Sequence, residues 1–333
     1  MNVLSDRLGR PLRDLRISVT DRCNFRCTYC LPPTQPVRYR PQDRILSFEE
    51  IERVAHVFVG LGVRKIRLTG GEPLVRHELP ELVGRLAALP GLGDLGLTTN
   101  GSLLAAQASQ LREAGLRRVT VSLDALDDRT FRSLAGTDRP VAAVLAGIDA
   151  AMRAGFAPIK LNMVVLRGVN EGEIIPMARF ARERGPTLRF TEYMDVGGGN
   201  GWCRQDVVEA GEILARVGAE LPIQPILPRV AGEVAERFSY EDGAGEFGVI
   251  AAVTRPFCVD CSRMRLTADG ELYTCLFGVS GVDLRSLLRS GATDDDLASV
   301  IASTWRSRDD RYSQRRSELL PATARVAMTV IGG

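Results

Sequence analysis

A chain of 333 residues, 45% hydrophobic and 25% charged, is long enough to bury a sizeable core as one large barrel with an appendage or as two domains. Its formal net charge of +2 excludes strong global attraction to nucleic acid, so any bound anion must be held by a local arrangement. Residues 1–7 lack the apolar segment of a secretion signal, no uninterrupted apolar run could span a bilayer, and seven cysteines grouped as three, one and three fit clusters better than a disulfide framework, so a soluble cytoplasmic protein without membrane contact is expected.

The first strand-like run, residues 15–20, leads directly into Cys23-Asn24-Phe25-Arg26-Cys27-Thr28-Tyr29-Cys30. Three soft ligands on one loop can hold a metal centre, and with no fourth Cys or His nearby one coordination position stays open. A structural zinc knuckle remains the alternative at this point. Ser47 is placed to cap a helix whose apolar stripe is Ile51, Val54, Ala55, Phe58 and Val59, and Gly60 and Gly62 end it. A strand at 65–69 follows, then the Gly70-Gly71-Glu72-Pro73 turn and a helix through Leu79, Leu82, Val83 and Leu86. Further strands are expected at 95–99, 119–124, 159–165 and 188–193, with helices near 103–114, 141–154 and 173–184. Strands alternating with helices at this spacing imply a parallel sheet wound through right-handed crossovers, an α/β fold of six units that makes an incomplete (βα)6 version of the eightfold barrel. Turns at the C-terminal ends of such strands carry active sites, which is where the Cys loop and the Gly-Gly-Glu-Pro turn fall.

The phase of these strands says more than their number. Leu15, Ile17 and Val19 alternate with Arg16, Ser18 and Thr20; Ile66 and Leu68 with Lys65, Arg67 and Thr69; Val119, Val121 and Leu123 with Thr120, Ser122 and Asp124. Thr98 stands opposite Leu95 and Leu97, Lys160 and Asn162 alternate with Ile159, Leu161 and Met163, and Arg189 lies between Leu188 and Phe190. If the apolar face meets the helices, the polar face lines a cavity into which Arg16, Lys65, Arg67, Lys160 and Arg189 project. Five cations converging on a barrel interior ask for a polyanion.

From residue 196 the alternation stops, which divides the chain into residues 1–195 and 196–333. The second part carries a short helix near 209–217, segments broken by Pro222, Pro225 and Pro228, and another set of three thiols, Cys258, Cys261 and Cys275. Arg263 and Arg265, two apart on an extended stretch, point to one side. Cys203 belongs to neither set, and His56 and His77 are expected on the surface or in packing. This region is positioned to close the open side of the barrel.

The spacing C-x3-C-x2-C with an aromatic before the last cysteine resembles the signature of the radical S-adenosylmethionine (SAM) enzymes. Taken with Thr20 to Cys27, Thr69-Gly70-Gly71-Glu72-Pro73, Leu97-Thr98-Thr99-Asn100-Gly101, Val121-Ser122-Leu123-Asp124 and the final Gly332-Gly333, the chain from about Leu8 to Gly333 resembles the GTP 3′,8-cyclases of molybdenum cofactor biosynthesis. That resemblance implies two [4Fe-4S] clusters. Cys23, Cys27 and Cys30 would hold the one that binds SAM, with Tyr29, Gly71, Glu72, Ser122, Asn162 and Met194 around the cofactor. Cys258, Cys261 and Cys275 would hold the second, whose open iron takes the guanine of GTP. Arg16, Lys65, Arg67, Thr98, Lys160, Arg189, Arg263, Met264 and Arg265 would bind substrate, with Arg263, Arg265, Gly332 and Gly333 acting near the chemistry. A 5′-deoxyadenosyl radical would take hydrogen from C3′ of GTP, which then bonds to C8. The implied partners are a cyclic pyranopterin monophosphate synthase downstream and a reductase or flavodoxin-type electron donor, and a homodimer is left open. The rival readings are another dual-cluster radical SAM enzyme, such as a peptide maturase, and a zinc-stabilised binding protein.

Overall fold

Apolar residues at alternate strand positions and at helical spacing between the strands set up the architecture. In the computed structural model, which describes residues 3–31, 39–197, 200–230, 232–316 and 325–332, the first half is a run of strand and helix units. These are β1 Asp14–Ser18, α1 Phe48–Gly60, β2 Lys65–Thr69, α2 Leu79–Ala87, β3 Asp94–Thr99, α3 Leu104–Glu113, β4 Arg118–Ser122, α4 Asp128–Ala135, α5 Val141–Arg153, β5 Lys160–Val165, α6 Ile174–Arg184 and β6 Thr187–Glu192. Strands β1 to β6 pair parallel in sequence order, as expected of the incomplete barrel. Their apolar faces, including Ile17, Ile66, Leu68, Leu97, Val121, Leu161 and Phe190, are fully buried in one core with the helices. At the start of α1, Ser47 accepts from the Glu50 amide while the Glu50 carboxylate accepts from the Ser47 amide, the reciprocal box that its sequence suggests. Helix α4 was not among the expected elements. It sits between β4 and α5, in a stretch to which no element is assigned from sequence.

The second half adds α7 Ala210–Glu220, β7 Ile223–Ile226, β8 Glu236–Tyr240, β9 Glu246–Ile250, β10 Arg263–Leu266, β11 Glu271–Tyr273, β12 Val282–Asp283, α8 Leu284–Arg289, α9 Asp294–Arg306 and α10 Met328–Ile331. Strand β9 pairs parallel with β6 and heads the antiparallel β7–β8–β9 meander, while β10 pairs parallel with β1 and leads the β10–β11–β12 meander. The region after residue 195 therefore extends the barrel at both edges. The result is one twelve-stranded sheet in the order β12-β11-β10-β1-β2-β3-β4-β5-β6-β9-β8-β7. Among the described residues no strand pairing joins its two ends, so the sheet itself stays open, and the region lies at the open side of the barrel as two meanders flanking the gap. Loop contact does cross the gap, since a Cβ on Gly232 would lie 3.2 Å from the Asp260 carbonyl. Among the described residues no helix is long and apolar enough to cross a membrane.

Candidate active site

Three turns at the C-terminal ends of β1, β2 and β3 are built as one unit. The Gly71 amide donates to the Thr20 carbonyl (2.8 Å) and the Glu72 amide to the Arg22 carbonyl (2.8 Å). A Cβ at Gly70 would meet the Thr20 oxygen at 2.3 Å, and one at Gly71 would meet the Arg22 oxygen at 2.2 Å, so both glycines are there because the Cys loop lies against them. The Glu72 carboxylate, 1% exposed, accepts from the Leu74 amide (3.0 Å), the Thr99 hydroxyl (2.6 Å) and the Asn100 amide (2.6 Å). Burial raises its pKa to about 7. In this fold Glu72 ties two turns together through three protein donors. Asn100 in turn donates to Asn24 (2.8 Å), and Asn24 to Ser102 (2.9 Å), which brings the Cys loop into the same network.

Helix α4 supplies the other wall of that loop. The Arg26 amide donates to Ala135 and the Thr28 amide to Leu134, each at 2.9 Å, and Phe25 meets Phe131 edge-on at 6.0 Å. Burial raises the Cys23 thiol to about 11 and the Cys30 thiol to about 12, and lifts Cys27 well above its ordinary value, with the neighbouring thiolates adding to the shift at Cys27 and Cys30. Three thiols on one loop, two of them raised further by their neighbours' charge, need shared positive charge to ionise together, which is the chemistry of a cluster-binding set. Among the described residues no three His, Cys, Asp or Glu side chains group around a point as the ligands of one ion would. A cluster spreads its thiolates over several irons and requires no such convergence.

The second set lies at the other end of the cavity, for a reason visible in the pairing. Cys23 follows the C-terminal end of β1, whereas Cys258 and Cys261 precede the N-terminal end of β10, and the two strands run parallel. Strand β11 is antiparallel to β10 and returns the chain to the same end, where Cys275 follows it. The two thiol sets are thus separated by about one strand length, roughly 15 Å. The second loop is held from outside by Arg10, which donates to the Cys258 carbonyl (2.8 Å), and Arg308, which donates to the Cys261 carbonyl (2.7 Å); both guanidiniums pair with buried Asp6. Burial would raise the Cys261 thiol, but Arg263 and Arg308 pull it down to about 6. Burial raises Cys275 to about 11.

Between these ends the strand registers line up the cations. Arg265, Arg16 and Arg67 are direct neighbours across β10, β1 and β2, and Thr98, Thr120 and Lys160 across β3, β4 and β5. Ser122, Asn162 and Arg189 form a further row. Arg67 donates to Thr120 (3.0 Å) and Thr98 (3.4 Å). All five cations expected from strand phase share this face, and so does Arg118 on β4, which sequence reasoning missed because the strand was started one residue late. Arg118 pairs with Asp94, Lys65 with Asp14 at 3.1 Å, and Arg189 with Glu233 at 3.5 Å. These carboxylates do not offset the excess. Burial, with Arg265, Arg263 and Arg67 close by, holds Arg16 well below its ordinary value. Burial and like charges also lower Arg67 to about 10, Arg265 to about 10 and Lys160 to about 7. Such mutual depression suits a site that binds an anion.

The remaining expected residues divide. Asn162 presents a buried side-chain oxygen with no hydrogen-bond partner, and so does the Ser18 hydroxyl. The Tyr29 hydroxyl donates to Asp124 (2.6 Å), whose pKa burial raises to about 6. Met194 lies in the loop after β6, where its carbonyl accepts from Val196 (2.9 Å) and Asn200 (3.1 Å). Met264 alternates to the opposite face and is 0% exposed within the apolar core, so its side chain cannot reach substrate; that expectation is corrected. Gly332 does enter the site, where its carbonyl accepts from Arg265, itself 4% exposed. Gly333 lies outside the described residues. Cys203 donates to Asp206 (3.0 Å), and His56 and His77 are exposed.

Comparison with known proteins agrees with this geometry. Residues 17–181 match the family model of the radical SAM superfamily, and residues 186–314 match that of Molybdenum Cofactor Synthesis C. The chain is 59% identical to the GTP 3′,8-cyclase of Acidothermus cellulolyticus over 94% of this chain and 89% of that one. It is 48% identical to the GTP 3′,8-cyclase of Xanthomonas axonopodis pv. citri, and 44% identical to that of Staphylococcus saprophyticus, in both cases over 99% of each chain. Among solved structures, Streptococcus suis SuiB bound to S-adenosylmethionine shares the fold at a TM-score of 0.62 and 16% identity, over 87% of this chain and 68% of that one.

Proposed function

The chain belongs to the GTP 3′,8-cyclase family within the radical SAM superfamily, and from its cavity we infer which residues serve each part of that reaction. It is a radical SAM lyase of the first step of molybdenum cofactor biosynthesis, using SAM and an iron-sulfur cluster to join C3′ of GTP to C8. The observation that carries the residue-level reading is the row of under-neutralised cations between two thiol sets at opposite ends of one cavity.

We propose that Cys23, Cys27 and Cys30 hold the cluster that binds SAM, with the unpaired side-chain oxygen of Asn162 accepting from the cofactor and Tyr29, Gly71, Ser122 and Met194 shaping its pocket. When bound, SAM on that cluster supplies a 5′-deoxyadenosyl radical. The protein's own work is to bind and orient GTP and to keep water away. Arg67, Lys160 and Arg189, with Lys65, Arg118 and Thr98 beside them, fix the triphosphate, which displaces Glu233 from Arg189. Cys258, Cys261 and Cys275 hold a second cluster that takes the guanine end, with Arg16, Arg263 and Arg265 balancing its charge. On this reading residues 1–195 carry the radical source and 196–333 the guanine end. The same reading places the enzyme in the cytoplasm, with electrons from a reductase or flavodoxin-type donor and its product passed to a cyclic pyranopterin monophosphate synthase. Anaerobic reconstitution with iron, sulfide, SAM, reductant and GTP tests it: 5′-deoxyadenosine and a cyclised nucleotide should form together, and formation of 5′-deoxyadenosine that is indifferent to GTP would contradict it.

The lowered pKa of Lys160 makes a separate prediction. In the free site burial, Arg189, Arg118 and Arg67 hold its ammonium near neutrality at about 7, and the triphosphate supplies the missing anion and raises it. Binding therefore takes up a proton above that pH, and affinity for GTP falls as pH rises through the alkaline range, by up to about tenfold per pH unit. Titration calorimetry in two buffers of different ionisation enthalpy should show uptake approaching about one proton near pH 8. Lys160→Met should abolish that uptake, and an unchanged proton count in the variant would remove Lys160 from the role.

A further inference from the structure

The tail reaches the cavity across a buried polar cluster that none of the roles above uses. Asp195 lies just beyond β6, next to Met194. Its carboxylate accepts from Arg316 Nε (2.8 Å), from Arg325 Nη1 (2.9 Å) and from the Tyr312 hydroxyl, and its backbone carbonyl accepts a further bond from Arg325. Arg325, whose side chain is 6% exposed, also donates to the Tyr312 oxygen and lies over the Tyr312 ring at 4.4 Å. Tyr312 stacks on Phe277 at 4.4 Å, and Phe277 is two residues beyond Cys275. Among the described residues Asp195 is the carboxylate that pairs with both guanidiniums, while Arg325 Nε and Arg316 Nη2 have no hydrogen-bond partner. One negative charge therefore holds two buried positive ones.

The position of this cluster along the chain gives it consequence. Six residues lie between Arg325 and Gly332, and four of them, Met328–Ile331, form the single helical turn α10, with Ile331 buried. The loop after Asp195 supports the same segment, since a Cβ on Gly197 would lie 3.6 Å from the Met328 amide. A segment this short and compact transmits the placement of its first residue to its last. At its far end the Gly332 carbonyl accepts from Arg265, the guanidinium that burial and neighbouring Arg263 depress.

We propose that Asp195 is the anchor of the C-terminal tail, holding Gly332 against Arg265 through Arg325, and is in this way a positioning residue for cyclisation. This rests on the family's reaction and deepens it by naming what keeps the tail seated. Without the carboxylate, Arg316 and Arg325 are two like charges in a buried site, and the tail leaves so that Arg325 can be hydrated. Asp195 touches neither substrate nor cofactor in this account.

The test uses the full-length reconstituted enzyme with Asp195→Asn, Arg325→Gln and both together. Turnover of GTP should fall by about a hundredfold in either single variant, with KM for GTP and iron content nearly unchanged. The double variant should be no worse than the singles, because both remove one interaction. A free peptide of residues 327–333 added at millimolar concentration should raise turnover of Asp195→Asn, because the anchor acts by keeping the tail's local concentration high. Independently of turnover, amide hydrogens of residues 328–332 should exchange much faster in Asp195→Asn than in the parent. Unchanged turnover in Asp195→Asn, losses that multiply in the double variant, no response to the peptide, or unchanged exchange in the tail would each overturn the proposal. If the parent enzyme itself forms no cyclised GTP, the assigned reaction fails, and hydrogen exchange still decides the anchor.

Discussion

Replacing Gly332 by alanine is expected to abolish cyclisation of GTP, a loss of at least about a hundredfold in turnover, while SAM continues to bind. The reason is spatial. Gly332 has φ +75° and ψ 129°, a conformation that residues with a side chain rarely adopt. A Cβ there would stand 2.5 Å from Thr69 Cγ2 and 2.7 Å from Ser18 Oγ, both on strands that line the cavity. Neither β1 nor β2 can retreat, because their other faces are packed with Ile17 and Leu68 at full burial. The tail must therefore withdraw, and Arg265 loses the carbonyl that holds it. Removing residues 332 and 333 should have the same effect. Turnover is read as cyclised nucleotide, and SAM binding by equilibrium dialysis. A Gly332→Ala enzyme that turns over at the parent rate would show that the tail is a passenger.

The second large effect separates the two thiol sets. Cys27→Ser should eliminate 5′-deoxyadenosine altogether, because the buried loop against α4 loses one of three ligands and with it the radical source. Cys258→Ser should leave SAM binding and some cleavage of SAM intact, yet abolish the cyclised product. Each variant should lose about four of about eight irons per chain. The outcomes differ because the parallel pairing of β10 with β1 puts the sets at opposite ends of the cavity. Equal loss of SAM cleavage in both variants would mean that the two sets serve one centre. That would contradict the layout described here.

Much of this layout is legible without coordinates. The alternation of Arg16, Ser18 and Thr20 with Leu15, Ile17 and Val19, repeated on the following strands, assigns a polar face, and β1 to β6 pair so that this face is continuous. Local patterns determine such features. What the pattern misses depends on partners distant in sequence. Strand β10 lies beside β1 although about 250 residues separate them, and no periodicity in either strand announces the other. For the same reason no pattern announces that the second region meets the open side of the barrel with two meanders on opposite edges, joined across the gap by loops rather than by a strand pairing. Arg118 was lost to a strand boundary one residue off, and extending that strand by one position would have put it on the polar face. Met264 was drawn in by its neighbours Arg263 and Arg265, although the alternation that brings those two into the cavity turns Met264 out of it. Glu72 reads as a ligand-facing carboxylate in a glycine turn. Only the packing of three turns shows that it also braces its own turn against the one after β3.

On the proposed reading the cation row holds GTP with C3′ toward the end of the cavity formed by Cys23, Cys27 and Cys30. The most direct measurement uses GTP deuterated at C3′ with the anaerobically reconstituted enzyme, SAM and reductant, followed by mass spectrometry of the 5′-deoxyadenosine. Deuterium should appear in 5′-deoxyadenosine in proportion to cyclised nucleotide, and Arg67→Ala should suppress both. Cyclised nucleotide formed without transfer of that deuterium would contradict it.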